Sequence, residues 1–161
     1  EEIAEELRYI NHQADRGLVS YEYFLDTVCA LTNASRKVAH EMITTNHHPN
    51  VALFTYAQDL KRVGYKLGMI SNVGDELNNF LPQEYVDLFD VVTLSYHAGA
   101  IKPEATIYLK HLAELRLPAE ACVFIDDREV NVVGAQAVGM HAIGYTNVEQ
   151  TKADLVALGV R

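Results

Sequence analysis

An α/β fold with a parallel, Rossmann-like sheet and a small helical appendage is what this sequence predicts, and three observations predict it. Residues 1–49 carry helical periodicity and little else. From residue 51 onward, short apolar strands alternate with amphipathic helices. Polar and acidic residues gather where those strands end. The 161 residues suffice for one core domain with an appendage, and 49% apolar against 22% charged residues is an ordinary globular balance.

In chain order, Ile3, Leu7, Ile10 and Ala14 recur at helical spacing until Gly17 interrupts them. Ser20 is placed to cap a second helix with the apolar stripe Tyr21, Phe24, Leu25, Val28 and Leu31. Ser35 is placed to cap a third that runs to Thr45. Asn46-His47-His48-Pro49-Asn50 has linker composition, which separates a helical domain at 1–49 from an α/β core at 50–161. In the core the pattern gives a helix over 51–63, a strand over 65–70 and a helix over 75–81. A strand over 90–94 and a helix over 104–116 follow, then a strand over 121–125, a helix over 129–138, a strand over 140–144 and a helix over 151–158. Strands separated by helices imply a parallel sheet covered on both faces.

A formal charge of −9 argues against a nucleic-acid partner, which needs a basic face. No apolar run approaches the roughly 18 residues of a membrane span. The opening Glu-Glu-Ile-Ala-Glu-Glu-Leu is unlike a signal peptide. Cys29 and Cys122 sit in separate apolar stretches, so a reduced, cytoplasmic protein is the expectation. The first residue is Glu1 rather than Met, which suggests a truncated chain.

In an open parallel sheet, ligands gather beyond the carboxyl ends of the strands. Here one strand runs into Ser71-Asn72 and another into Asp126-Asp127, while Lys102-Pro103-Glu104 opens a helix after the loop 96–101. A Ser hydroxyl and the following N–H can donate to phosphate oxygens at a strand-to-helix turn. A lysine in a fixed loop neutralises phosphate and carboxylate charge, and Pro103 keeps Lys102 out of helical geometry. Adjacent Asp126 and Asp127 repel one another unless a cation offsets their charge. Magnesium suits them, since it takes one or two carboxylates, retains waters and shares a phosphate.

In this order and spacing, these residues resemble three motifs of the haloacid dehalogenase superfamily of phosphate-ester hydrolases. Gly68-Met69-Ile70-Ser71-Asn72 resembles the second motif, Lys102-Pro103-Glu104 the third, and Val123-Phe124-Ile125-Asp126-Asp127 with Asn131 the fourth. Gly134-Ala135-Gln136 and Val138-Gly139-Met140 continue the pattern. The resemblance is dense over 51–148 and is similar to a bacterial sugar-phosphate phosphatase branch, in which Asn78-Asn79-Phe80-Leu81-Pro82-Gln83-Glu84-Tyr85 also has a counterpart. The segment from Gly17 to Phe24 resembles that branch's helical cap. The resemblance implies phosphate binding by Ser71, Asn72 and Lys102 and magnesium binding by Asp126 and Asp127. It implies a small phosphorylated metabolite as substrate, hydrolysed through an aspartyl-phosphate. The acidic pair favours a magnesium phosphatase over a metal-free dehalogenase.

The family's nucleophile lies in a DxDx(T/V)-type segment ending the first strand, and no such segment occurs in this chain. Asp15-Arg16-Gly17 sits in a helical context, and Asp87-Leu88-Phe89-Asp90 precedes a strand, so neither substitutes for it. This chain alone is therefore expected to be inactive. The absent strand should leave two unpaired edges, beside Ser71 and Asp126, to be filled by another chain, a peptide or altered pairing. Such an incomplete sheet also makes a homo-oligomer plausible. The alternative is a pseudoenzyme that binds phosphate or a partner without catalysis. Among the other residues, His47 and His48 read as solvated, His97 as near the site, and Cys122 as core. Tyr9, Tyr21, Tyr23 and Phe24 read as packing of the helical region, and Glu104 as a local cap or salt bridge.

Overall fold

The computed structural model describes residues 2–44, 49–74 and 81–160. The His47-His48 pair, Asn78-Asn79-Phe80 and, but for Leu81, the helix expected over 75–81 lie outside the described residues.

Three helices come first: α1 (Glu2–Asp15), α2 (Tyr21–Thr32) and α3 (Arg36–Thr44). The stripe on α1 buries Ile10 and Ala14 against Phe24 of α2, with Val28 and Ile43 alongside. Ser20 caps α2 by accepting the Tyr23 N–H, and Ser35 accepts the Val38 N–H at the start of α3. Tyr9 and Tyr23 do not join this packing. They are 64% and 59% exposed, because the inward stripe is filled by Ile10, Ala14 and Phe24.

The remainder alternates as α4 (Val51–Arg62), β1 (Gly68–Ser71), α5 (Gln83–Val86), β2 (Val91–Leu94), α6 (Ser95–Ala98) and α7 (Ala105–Leu115). A 3-10 turn (Ala119–Ala121) then leads to β3 (Val123–Asp126), α8 (Glu129–Ala137), β4 (His141–Gly144) and α9 (Val148–Ala157). Several boundaries differ from expectation for local reasons. β1 starts late because the Leu67 N–H is taken by the Asp90 carboxylate. β3 starts late because Ala119–Ala121 forms the 3-10 turn. α9 starts early because Asn147 accepts the Gln150 N–H as a side-chain cap. Part of the expected loop 96–101 is instead the helical turn α6, anchored by Ser95, whose hydroxyl accepts the Val73 N–H and donates to the Val73 carbonyl.

The strands are parallel but form two pairs. β1 lies beside β2 with Ser71 opposite Leu94, and β3 beside β4 with Asp126 opposite Gly144. Among the described residues no ladder joins β1 to β3, so the sheet is split between the strands that end at Ser71 and Asp126. What spans the split is α7. Ile107 and Tyr108 are fully buried and share one apolar cluster with Ile70 of β1 and Phe124 of β3. Tyr108 meets the Phe124 ring edge-on at 5.3 Å. His111, 3% exposed, lies against Gly68, where a Cβ would fall 2.0 Å from the ring Nε2, and its Nδ1 is hydrogen-bonded to Thr93 Oγ1 at 2.8 Å.

Candidate functional site

Asn72, just after β1, and Asp126, at the end of β3, both hydrogen-bond to Lys102 in the loop before α7. Lys102 is fixed there from both sides. Asn72 Oδ1 accepts the Lys102 N–H at 2.8 Å, and Asn72 Nδ2 donates to the Lys102 carbonyl at 3.0 Å. The bond from Lys102 to Pro103 is cis, and Pro103 rests on α8 where Gly134 leaves room. A Cβ at Gly134 would lie 2.6 Å from the Pro103 carbonyl oxygen.

From that position Lys102 Nζ donates to Asp126 Oδ2 at 2.7 Å, across the split in the sheet. The two side chains are 13% and 6% exposed, so the pair is buried and little screened by solvent. The other carboxylate oxygen accepts the Arg128 N–H at 2.9 Å and Asn131 Nδ2 at 2.8 Å. Burial pushes the Asp126 carboxyl up. The Lys102 charge and the hydrogen bonds from Lys102, Arg128 and Asn131 outweigh it and hold the group below its ordinary value. Asp126 is therefore a carboxylate at neutral pH. Tyr108 supports it from beneath by donating to the Asn131 carbonyl at 2.9 Å. Burial, and then the Asp126 charge, pushes the Tyr108 hydroxyl up to about 12.

The residues singled out in the sequence thus converge unevenly. Lys102 and Asp126 are in contact. Ser71 is half-buried at the end of β1 and makes no side-chain hydrogen bond among the described residues. Asp127 is exposed and its carboxylate makes no ion pair among the described residues. Asn72 uses its side-chain amide to grip the Lys102 backbone, which makes it a support for Lys102 as well as a neighbour of the site. His97 is exposed on α6 and packs against Tyr96. Cys122 is buried, as expected.

Two residues outside the sequence-based set bear on this geometry. Arg16, just beyond α1, forms an ion pair with Glu104, 88 residues away. Glu104 therefore neither caps α7 with its side chain nor bridges locally. Gly134 supports the Lys102 loop through Pro103. Close backbone approach was a readable reason for a glycine there, whereas no sequence signal links Arg16 to Glu104.

Among the described residues, no group of three or more His, Cys, Asp or Glu side chains is arranged to hold a metal. The acidic pair and one orphaned acceptor remain. Asn131 Oδ1, in a residue 2% exposed, has no hydrogen-bond partner among the described residues. A cavity of about 400 Å³ lies in the helical region, lined by Leu7, Phe24, Val28, Met42 and neighbours, and none of the site residues lines it. No described helix is long and apolar enough to cross a membrane.

A sesquiterpene phosphatase of Aspergillus oryzae is 29% identical over 109 residues, which is 66% of this chain and 56% of that protein. The chain thus spans little more than half the length of that curated relative. Among solved structures, an HAD-like family hydrolase from Porphyromonas gingivalis superposes with a TM-score of 0.76 at 24% identity, covering 92% of this chain and 78% of that one. A family enzyme from Bacteroides thetaiotaomicron, a mutant in complex with magnesium and inorganic phosphate, gives a TM-score of 0.68 at 21% identity, covering 89% and 85%. The model of the haloacid dehalogenase-like hydrolases matches residues 3–145, and the chain belongs to that family.

Proposed function

We propose that this chain carries most of the site of a magnesium-dependent phosphatase of small phosphorylated metabolites. The observation that carries the reading is the buried contact of Lys102 with Asp126, with Lys102 held by Asn72, the residue after Ser71. In this reading Ser71 donates to a phosphate oxygen, and Asn72 holds the Lys102 backbone so that the ammonium offsets phosphate and carboxylate charge together. Asp126 and Asp127 suit a hard cation that takes one or two carboxylates and completes its shell with water and phosphate. When bound, magnesium would neutralise the charge that develops on the transferring phosphoryl group. The helical region 1–49 serves as the cap that selects the substrate, over a core at 50–161. Reduced Cys29 and Cys122 agree with a cytoplasmic setting.

Hydrolysis through an aspartyl-phosphate needs a carboxylate nucleophile, and in this reading it arrives on a strand that pairs in the split between β1 and β3. A further chain or a peptide that carries such a segment would contribute it, and residues 1–161 alone would be inactive. The same split supports a second reading. A protein of this fold that binds phosphate without turnover needs only Ser71, Lys102 and the acidic pair, and no third acidic group joins that pair among the described residues.

Calorimetric titration with inorganic phosphate in magnesium tests the shared premise. The chain should bind phosphate, and Ser71→Ala should weaken binding about tenfold through loss of one charge-assisted hydrogen bond. No binding with or without magnesium would sink both readings. If phosphate binds, magnesium-dependent release from p-nitrophenyl phosphate separates them, with intact mass showing whether any further segment accompanies the chain.

A further inference from the structure

The end of α1 touches the loops that carry the candidate site, and it does so by two different means. Gly17 has φ +69°, and a Cβ there would lie 2.5 Å from the Tyr96 carbonyl oxygen, so the chain meets α6 backbone to backbone. One residue earlier, Arg16 pairs with Glu104 through both guanidinium amino groups, Nη1 at 3.3 Å from Oε2 and Nη2 on Oε1. Arg16 and Glu104 are about one-third exposed, so the pair is only partly screened.

Both contacts lead onward to site residues. Through Ser95, α6 holds Val73, which follows Ser71 and Asn72. Glu104 Oε2 accepts the Ile101 N–H at 3.4 Å, and the Glu104 N–H donates to the Ile101 carbonyl at 2.8 Å. The loop is thereby closed on itself around Lys102. Arg16 orders the one carboxylate that closes the loop, and Asn72 grips the same loop from its other side.

We infer that Arg16 is a positioning residue. It acts through Glu104 on the loop that holds Lys102 and so couples the docking of α1 to the placement of the lysine against Asp126. The coupling is a statement about geometry, and its consequence for phosphate rests on the function proposed above. Arg16 touches neither Lys102 nor Asp126, and its effect is transmitted entirely by the Glu104 carboxylate.

Amide hydrogen exchange followed by NMR tests the coupling without any need for turnover. Arg16→Met should speed exchange of the Ile101, Lys102 and Glu104 amides about fivefold, the effect of a partly exposed bidentate pair on local opening. The amides of Val123–Asp126 should stay within about twofold, because β3 is reached only through Lys102. Glu104→Gln, which keeps an acceptor for Ile101, should reproduce the acceleration, and the double variant should add nothing to it. Arg16→Lys should restore part of the protection. Unchanged loop amides, equal acceleration in β3, or additive effects of the two substitutions would each overturn the inference. Should Arg16→Met fail to fold, Glu104→Gln carries the test alone. A wild-type chain that shows the expected exchange but binds no inorganic phosphate would leave the coupling standing and remove the proposed function instead.

Discussion

Acidification from pH 7 to pH 5 should barely change the stability of this protein, because two groups with displaced pKa values, buried His111 and half-buried Asp15, oppose one another. His111 is 3% exposed between α7 and β1. Burial lowers its pKa from 6.5 to about 4. The unfolded chain therefore takes up a proton before the folded one does. The stability that neutral His111 supports is present above pH 6.5 and is lost as the pH falls toward 4, about 2 kcal/mol of it between pH 7 and 5. Asp15, at the end of α1, behaves in the reverse sense. Burial raises its pKa from 3.8 to about 6, although the charge of His12 and the hydrogen bond from Asn11 pull it down. The folded chain takes up that proton first, and stability is gained as the pH falls through 6, about 1 kcal/mol of it between pH 7 and 5. Asp126 does not intrude, since its lowered pKa places its loss of stability below the ordinary carboxylate range. The net change in the wild type is thus a loss of about 1 kcal/mol or less. Urea titrations at both pH values resolve the components. Asp15→Asn should expose the full fall of about 2 kcal/mol, and His111→Asn, which keeps a partner for Thr93, should expose a rise of about 1 kcal/mol. An Asp15→Asn variant as insensitive to pH as the wild type would refute the assignment of His111 as a buried neutral imidazole.

Two further outcomes follow from the site. Lys102→Met strands the Asp126 carboxylate in a buried position and should cost about 3 kcal/mol at neutral pH in urea denaturation, with most of it recovered by adding Asp126→Asn. Gly134→Ala places a Cβ 2.6 Å from the Pro103 carbonyl oxygen, so the loop beside Lys102 must shift. It should cost about 1–3 kcal/mol by the same assay and weaken inorganic phosphate binding in a calorimetric titration.

What could be read from the sequence was what depends on neighbours along the chain. Asp126-Asp127 after an apolar run and Ser20 ahead of an apolar stripe are local patterns, and β3 and α2 follow from them. An interruption of the sheet between the strands ending at Ser71 and Asp126 was also expected, and β1 and β3 are unjoined among the described residues. Long-range contacts were not legible. Arg16 and Glu104 are ordinary surface types, and nothing in their spacing brings them together. The second task of Asn72, its amide matched to the Lys102 peptide 30 residues away, was equally hidden. Tyr9 and Tyr23 were assigned to packing by residue type, whereas side-chain direction on α1 and α2 decides against it. The turn α6 was hidden by Gly99 and Ala100, which suggest a loop, while the fully buried Ser95 fixes it through Val73.

The split between the strand pairs also bears on how this molecule comes apart. Among the described residues no ladder hydrogen bond joins β1 to β3, so backbone pairing between these strands does not make the two halves melt together. Cooperativity has to pass through side chains, chiefly Tyr108, which packs on Phe124 and donates to the Asn131 carbonyl while its helix covers β1 and β2. α7 therefore acts as a splint, since it covers β1 and β2 and reaches β3 through Tyr108, while α8 covers β3 and β4.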